Sequence, residues 1–227
     1  ESGGNLSFGQ IAIGGFVDTS KISSGGNSTI INDGSLTFGP FSTAGNANIT
    51  NNGTMMVTEV SNAGSATIVN TGTVTFRSVR SSPIGASQPT SAKDATITNN
   101  GRLEVVDNAT GGNAAINNGS TGIVDFSATR LAPTIGSIAG SGNIYLGQLG
   151  LSIGGNNLST VFSGSIGNCA VGQPCTTRSP FGGRINKTGT GTLTLAGTNA
   201  YLGPTEVLGG TLLVNGSISS SESVFVH

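Results

Sequence analysis

The amino-acid sequence predicts an all-β fold: a single-stranded right-handed β-helix (β-solenoid) with about ten coils of roughly 19–22 residues each and with protruding loops. Three observations support this prediction. A short pattern returns at a constant spacing, apolar and polar residues alternate within it, and glycine and asparagine mark turns between the alternating segments.

A repeat of 19 residues runs through the first half of the chain. Its pattern is Ala-x-Ile-x-Asn-x-Gly-x-Leu-x-Phe, with similar residues at several positions, and it occurs at 28–38, 47–57, 66–76 and 95–105. The one longer step, of 29 residues, is a period with a ten-residue insertion that lies within 77–94. The isoleucines that mark the repeat are Ile30, Ile49, Ile68, Ile97 and Ile116.

The alternation around each glycine predicts two short strands joined by a turn, with the Ala, Ile, Asn, Leu and Phe positions facing inward. A further inward column is predicted at Phe41, Val60 and Val79. One repeat cannot bury its own apolar face, but repeats stacked about 4.8 Å apart can. Coils of unequal length, with insertions that loop out of a turn, favour the right-handed form. Turns are also predicted at Gly26, Gly45, Gly64 and Gly112.

An asparagine column accompanies the isoleucines with the same steps. Asparagine in a turn tolerates left-handed backbone geometry and bonds to its own main chain. Stacked asparagine amides can also bond from coil to coil and form a ladder inside the solenoid. Both alternatives are structural, so the column is predicted to be a turn ladder and not a binding site. Its members are Asn32, Asn51, Asn70, Asn99 and Asn118.

The composition is that of a folded chain that carries little charge. The 227 residues include 38 glycines and no tryptophan, 35% are hydrophobic, 8% are charged, and the formal net charge is −1. Disordered chains combine low hydrophobicity with high net charge, so this chain is expected to fold. Its lysines and arginines are scattered, which predicts no nucleic-acid partner, and no apolar run is long enough to span a membrane.

From residue 131 onward the coils have a different character. Alternating apolar residues and Gly-rich turns occur in GSGNIYLG (140–147) and LSIGGNNLSTVFSGSI (151–166), followed by a longer stretch at 185–218. These segments are similar to the passenger domains of bacterial autotransporters, and 184–218 resembles their passenger-associated transport repeat. Leu202 and Pro204 depart from that repeat, both within a turn. The positions that match it are Lys187, Thr188, Gly189, Gly191, Leu193, Leu195, Gly197, Asn199, Tyr201, Gly203, Thr205, Val207, Gly210, Thr211, Leu212, Val214 and Gly216.

The resemblance implies a right-handed β-helical passenger that a Gram-negative bacterium exports to the cell surface or extracellular space by type V secretion. In this family, a C-terminal outer-membrane β-barrel, which is not in this chain, exports the passenger, and the repeat aids export. The expected function is that of a structural stem and an adhesin or self-association module. The expected partners are the protein's own barrel, a host surface or matrix receptor, and another copy of the chain. We expect residues 1–227 to be one continuous β-helix fragment of a larger passenger, divided into 1–130 and 131–227.

The sequence predicts neither an enzyme nor a cofactor. The single histidine, His227, lies at the end of the chain, so a Ser/His/Asp or Cys/His arrangement has no general base, and no His and Cys cluster suggests a metal site. Cys169 and Cys175 lie in a predicted inserted loop at 168–181. In an exported protein they are expected to form a local disulfide, worth about 2 kcal/mol at this short span.

The alternative function is a polysaccharide-active β-helical lyase or hydrolase that uses outward stacked carboxylates. The column after the Leu position contains Glu104 and, after two inserted residues, Asp125, with Asp107 close in sequence. Such carboxylates could bind a cation or act as an acid and a base. The structural alternative is that they are solvated charges on an exposed strand face.

Two loops that interrupt the period are predicted contact surfaces, because long loops on a rigid scaffold often carry function. They are 77–94, with Arg77, Arg80 and Lys93, and 168–181, with the two cysteines. In addition, Ile31, Met56 and Val69 are predicted to point outward and form an exposed apolar strip, which could pair with another copy of the chain.

Overall fold

The structure is a parallel β-solenoid. The computed structural model describes residues 5–8, 23–78, 89–169 and 182–227. These residues form strands and turns without a helix, and all of their strand pairings are parallel. The predicted all-β solenoid is therefore confirmed, with about 9 turns, while its right-handed sense stays a prediction.

Each coil contributes strands at fixed places, so two sheets run from the 19-residue repeats into the C-terminal coils, and a third sheet begins at residue 134. The eight-stranded sheet consists of β1 (Asn5–Phe8), β3 (Ser35–Phe38), β5 (Thr54–Thr58), β7 (Thr73–Ser78), β9 (Arg102–Asp107), β11 (Ile123–Asp125), β14 (Asn143–Tyr145) and β17 (Ser165–Gly167). The nine-stranded sheet consists of β2 (Thr29–Asn32), β4 (Asn48–Asn51), β6 (Thr67–Asn70), β8 (Thr96–Asn99), β10 (Ala115–Asn118), β13 (Ser137–Gly140), β16 (Thr160–Phe162), β19 (Thr192–Leu195) and β21 (Thr211–Val214). The five-stranded sheet consists of β12 (Thr134–Ile135), β15 (Gly150–Ile153), β18 (Arg184–Lys187), β20 (Thr205–Val207) and β22 (Val224–Val226).

Equivalent residues of successive coils lie one above another. Ile30 pairs with Ile49, and Ile49 pairs with Ile68. Ile68 then pairs with Ile97 across the longer step, so the ten-residue insertion leaves the strand register unchanged. These isoleucines are buried, as alternation predicts, and their stacking gives a continuous apolar core. Nine strands at the usual spacing make the core roughly 40 Å long.

One predicted inward column is wrong. Phe41 and Val60 are only half-buried, with φ angles of 58° and 68°, so they turn the chain and do not fill the core. The buried residues at this corner are the next ones, Ser42 and Ser61. The Ser42 hydroxyl donates a hydrogen bond of 2.6 Å to a main-chain carbonyl three residues earlier, so a small polar side chain fits this tight corner. Val79 lies outside the described residues.

The predicted turn glycines are confirmed. Gly26, Gly45, Gly64 and Gly112 have φ angles of 59°, 66°, 62° and 63°, in the left-handed region where a Cβ is unfavourable. They stand at the corners before β2, β4, β6 and β10, which explains why the sequence repeats glycine at this position.

A second glycine column follows the strands of the nine-stranded sheet, and as far as Gly164 it lies where each coil passes from that sheet to the eight-stranded sheet. A Cβ built on Gly72 would lie 2.1 Å from the carbonyl oxygen of Gly53, and a Cβ on Gly101 would lie 2.1 Å from that of Gly72. Main-chain atoms of the preceding coil therefore exclude any larger residue. This glycine column consists of Gly34, Gly53, Gly72, Gly101, Gly122, Gly142, Gly164, Gly197 and Gly216.

Charge is distributed unequally among the sheets. No strand of the nine-stranded sheet contains a charged residue, whereas both other sheets do. We call the outer surface of the nine-stranded sheet the neutral face. Ile31 and Val69 lie on it, 69% and 40% exposed, but Met56 lies on the eight-stranded sheet, so the predicted strip of all three is wrong. In its first five strands the neutral face consists of Thr29, Ile31, Asn48, Thr50, Thr67, Val69, Thr96, Thr98, Ala115 and Asn117.

Candidate functional site

The asparagine column forms a ladder of side-chain amides inside the solenoid. The Nδ2 of Asn32 donates to Oδ1 of Asn51 at 2.6 Å, and the same bond joins Asn51 to Asn70 at 2.8 Å, Asn70 to Asn99 at 2.7 Å and Asn99 to Asn118 at 2.8 Å. All five side chains are buried. Each Nδ2 also donates to a main-chain carbonyl of the next coil, so both amide hydrogens have acceptors.

The coil-to-coil ladder describes most of the geometry of this column, and four of its amides also donate to a carbonyl of their own turn at 3.2 Å, while the predicted left-handed backbone is absent. The five asparagines end their strands, and none has a positive φ angle. The left-handed conformation falls instead on other residues, among them Glu59, Lys93 and Asp107. Every amide group in the ladder is engaged within the solenoid, so the ladder is suited to holding coils in register.

A cluster of charged residues, the ionic cluster, lies on the outer surface of the eight-stranded sheet. Glu104 pairs directly with Asp125 on the neighbouring strand, which places their carboxylates side by side. Arg102 bridges them: its Nε donates to Glu104, and its Nη2 donates to Asp125 at 2.6 Å. The hydrogen bond to Glu104, together with the Asp125 carboxylate, raises the pKa of Arg102 against the effect of burial.

Asp107 forms the second half of the ionic cluster. Its carboxylate accepts from Arg77 at 3.1 Å and from Arg130 at 3.0 Å, so it joins its own coil to both neighbouring coils. A shallow depression of about 420 Å³ lies beside it, lined by Met56, Thr75, Arg77, Glu104, Val106, Asp107 and Ala128.

The three carboxylates of the alternative site are thus each engaged by arginine. The side chains of Glu104, Asp107 and Asp125 are 28%, 16% and 13% exposed, so they are neither freely solvated nor without partners. Partly exposed ion pairs of this kind contribute about 0.2–1 kcal/mol each. Within the described ranges, no group of three or more His, Cys, Asp or Glu residues could hold a metal ion.

Sequence reasoning missed Arg102 as a member of this site. Its signal was present, because Arg102 stands two residues before Glu104 and therefore on the same face of β9. The bridging of both carboxylates by one guanidinium group can be predicted only when the strand register is known, because the register places Asp125 beside Glu104. The two halves of the ionic cluster share no ion pair in the described residues.

The predicted contact loops are described only at their edges. Arg77 is in the ionic cluster, and Lys93 stands in a turn with a φ angle of 52°. Arg80 and Cys175 lie outside the described residues, as do 79–88 and 170–181. Cys169 is disulfide-bonded. The portion of the chain that the structure describes contains no apolar helix of membrane-spanning length.

A buried lysine organises the coil at 184–218. Lys187 ends β18 with its side chain inside the solenoid, 1% exposed. Its Nζ donates to three main-chain carbonyls, those of Thr188 at 2.6 Å, Gly189 at 3.2 Å and Gly209 at 3.0 Å. Two of these carbonyls belong to the turn after β18, and the third belongs to the next coil, so one amine ties two coils together. Burial lowers the pKa of Lys187.

A buried tyrosine has a similar role at the next corner of the coil. Tyr201 is 0% exposed, and its hydroxyl lies 2.6 Å from that of Thr205. The Thr205 hydroxyl in turn lies 3.0 Å from that of Ser221 in the next coil. Burial raises the pKa of Tyr201, while the hydrogen bond to Thr205 acts in the opposite direction. The matched positions at 187, 201 and 205 thus hold neighbouring coils together through buried polar contacts.

Replacing Lys187 by methionine is expected to destabilise the C-terminal coils by about 2 kcal/mol. The methionine side chain fills similar space but leaves three carbonyl oxygens without their donor. Urea denaturation monitored by circular dichroism measures the decrease in the free energy of unfolding. The matched control is Arg184→Met, at the exposed start of the same strand, which should change stability by less than about 0.5 kcal/mol. Equal losses in the two variants would contradict the role of the amine.

Comparison with known families identifies this region of the chain. A family model described as the passenger-associated-transport-repeat matches residues 185–214. Searches of curated proteins and of solved structures gave no match. The protein is therefore a β-solenoid that contains a passenger-associated transport repeat. This match supports the resemblance to autotransporter passenger domains that the sequence predicts.

The match also bears on location. The repeat implies a secreted, surface-exposed passenger of a Gram-negative bacterium. The matched range begins within β18 and ends with β21, so it contains Lys187, Tyr201 and Thr205. The eight- and nine-stranded sheets both continue from the 19-residue repeats into the C-terminal region, which joins the repeat to the rest of the solenoid.

Proposed function

We propose that this passenger segment is a non-catalytic stem at the bacterial cell surface and that its neutral face makes adhesive contacts. The contacts are with another copy of the chain or with a host surface or matrix receptor. The observation that carries the proposal is the segregation of charge: the nine strands of one sheet contain no charged residue, and the ionic cluster lies on another sheet.

A neutral, flat face is well suited to such contacts. Burying an unpaired charge against a partner is costly, whereas threonine hydroxyls and exposed Ile31 and Val69 can be covered without that cost. Two outward residues per strand make a narrow strip, so a single contact is expected to be weak. Many copies on one cell would bind together much more strongly through multivalency.

The ionic cluster supports a structural role better than the polysaccharide-active alternative. A general acid and a base need carboxylates that are free to exchange protons with a substrate. Here Arg102 bridges Glu104 and Asp125, and two arginines hold Asp107. The proposal therefore contains no catalytic step. Export through the protein's own outer-membrane barrel, aided by the repeat at 184–218, belongs to the same proposal and is supported by the family match.

Beads coated with this chain test the adhesive role. Coated beads should clump with one another or bind host cells and matrix proteins. The double variant Ile31→Glu, Val69→Glu should reduce that binding at least about tenfold, because like charges would then face each other or the partner. The matched control is Ser35→Glu, Thr73→Glu, which makes the same change two coils apart on the eight-stranded sheet.

The outcomes separate the alternatives. Clumping of beads indicates self-association, and binding to host cells or matrix indicates an adhesin. Beads that bind nothing would overturn the adhesive role and leave a stem alone. An equal loss in the two double variants would show that the contact does not use the neutral face.

A further inference from the structure

The chain contains four Asn-Gly sequences, which are chemically vulnerable. They are Asn52-Gly53, Asn100-Gly101, Asn118-Gly119 and Asn215-Gly216. In such a sequence the main-chain nitrogen of glycine can attack the asparagine Cγ. A nitrogen–carbon bond forms, the bond from Cγ to the amide nitrogen breaks, and ammonia leaves with the proton from the glycine nitrogen. Water then opens the resulting cyclic imide to aspartate or isoaspartate.

Stacking of the coils engages the attacking nitrogen in all four sequences. The amide of Gly53 donates to the carbonyl of Asn32 at 3.0 Å, and the amide of Gly101 donates to that of Asn70 at 3.1 Å. The amides of Gly119 and Gly216 donate in the same way, at 2.9 Å and 3.0 Å, to carbonyls of the preceding coil. A nitrogen held as a hydrogen-bond donor, within a fixed backbone, cannot turn toward Cγ of the residue before it.

The asparagine side chains differ more than the glycine amides do. Asn118 is buried, and its amide belongs to the ladder. Asn52 and Asn100 are exposed to water. Asn52 accepts from the Thr71 hydroxyl at 2.8 Å and donates to Asp33 at 2.8 Å, but bonds at the surface compete with water and constrain the side chain little. The feature shared by all four sequences is the bond made by the glycine amide.

We propose that Asn52 and Asn100 are deamidation sites that the stacking of coils protects from reaction. In the stacked solenoid the glycine amide is engaged and the reaction is slow. In a chain whose coils have not stacked, the glycine amide is free, glycine offers no Cβ to hinder attack, and the reaction proceeds. The hydrogen bond that the glycine amide makes between the coils thus prevents deamidation.

Reaction before stacking would have a structural consequence. Isoaspartate adds one backbone carbon at the passage between the two large sheets, where each glycine already touches the preceding coil. A Cβ on Gly53 would lie 2.2 Å from the carbonyl oxygen of Gly34, so this turn has no room for a longer backbone. A chain that forms isoaspartate at position 52 or 100 is therefore expected not to regain this region of the solenoid.

Peptide mapping by mass spectrometry tests the proposal. The chain is held at pH 8 and 37 °C, either folded or in urea, and deamidation at Asn52 and Asn100 is followed with time. We expect the folded protein to react at least about tenfold more slowly at both sites. Hydrogen exchange at Gly53 and Gly101, measured on the folded protein, should be correspondingly slow. Equal deamidation rates in the folded and unfolded chain would overturn the proposal.

Two variants test whether the hydrogen bond of the Gly53 amide or those of the Asn52 side chain protect Asn52 from deamidation. Thr71→Val and Asp33→Ala each remove one hydrogen bond of the Asn52 side chain and leave the Gly53 amide bond in place. Circular dichroism confirms that each variant is folded. The rate at Asn52 should stay within about twofold of the original. A clear rise in the deamidation rate of either folded variant would show that the side-chain bonds protect Asn52 and would contradict the proposed role of the glycine amide.

Discussion

Replacement of Gly72 by alanine is expected to destabilise the solenoid by about 3 kcal/mol or more. The new Cβ would lie 2.1 Å from the carbonyl oxygen of Gly53 and 2.6 Å from that of Asn52. Overpacking against side chains costs about 1–3 kcal/mol, but here the obstacle is main chain, which has no other rotamer to adopt. Relief requires the two coils to separate, and separation weakens the bonds between them.

Gly167→Ala is the matched control for this prediction. Gly167 ends β17 in the eight-stranded sheet, and a Cβ there meets nothing within 4 Å. Its stability should change by less than about 0.5 kcal/mol. Urea denaturation of both variants, followed by circular dichroism, gives the comparison. If Gly72→Ala unfolds at the same urea concentration as Gly167→Ala, the close approach of neighbouring coils is not what limits this position.

Replacement of Asn51 by aspartate is expected to cost about 3 kcal/mol at neutral pH. The change preserves the shape of the side chain but removes the Nδ2 donor, so a carboxylate oxygen would face the Oδ1 of Asn70, which now lies 2.8 Å from Nδ2. The buried carboxylate would keep the Asn32 amide as a donor but gain no cationic partner, so it also carries a desolvation cost. Asn48→Asp is the matched control, because Asn48 lies on the exposed face of the same strand and should tolerate the change.

The Asn51→Asp variant also has an expected pH dependence. Burial should raise the pKa of the new carboxyl above its unfolded value of about 3.9. The folded state then binds the proton more tightly, so the deficit in stability is smallest below the unfolded pKa and grows as pH rises through the folded pKa. Urea denaturation at pH 3.5 and pH 7 measures this. A deficit that is equal at both pH values would contradict the predicted burial of charge.

The sequence predicts the repeated region of this fold well, because stacking converts a sequence period into a structural one. The positions of Ile30, Ile49 and Ile68 are sufficient to predict the strand register, and the register places the asparagines in one column. The corner at Phe41 and Val60 is predicted wrongly because alternation was extended into a turn. There the backbone enters the left-handed conformation, so successive side chains no longer alternate between inward and outward directions.

The candidate site is predicted less completely. The pairing of Glu104 with Asp125 follows from the period, since both occupy the same column. The role of Arg102 does not, because it depends on how far a long side chain reaches across strands. The burial of Lys187 also cannot be predicted from its residue type, because lysine is seldom buried. Its three acceptors are main-chain carbonyls, which any sequence would supply.

The asparagine ladder makes the length of this solenoid adjustable in whole coils. Its interior levels are alike: each amide donates to the next asparagine and to a carbonyl of the next coil. Loss of one 19-residue unit between Asn32 and Asn70 would bring these two amides together in the arrangement that each now has with Asn51. Recombination between repeated DNA segments could therefore shorten or lengthen the reach of the protein by about 4.8 Å at a time, with every level still bonded.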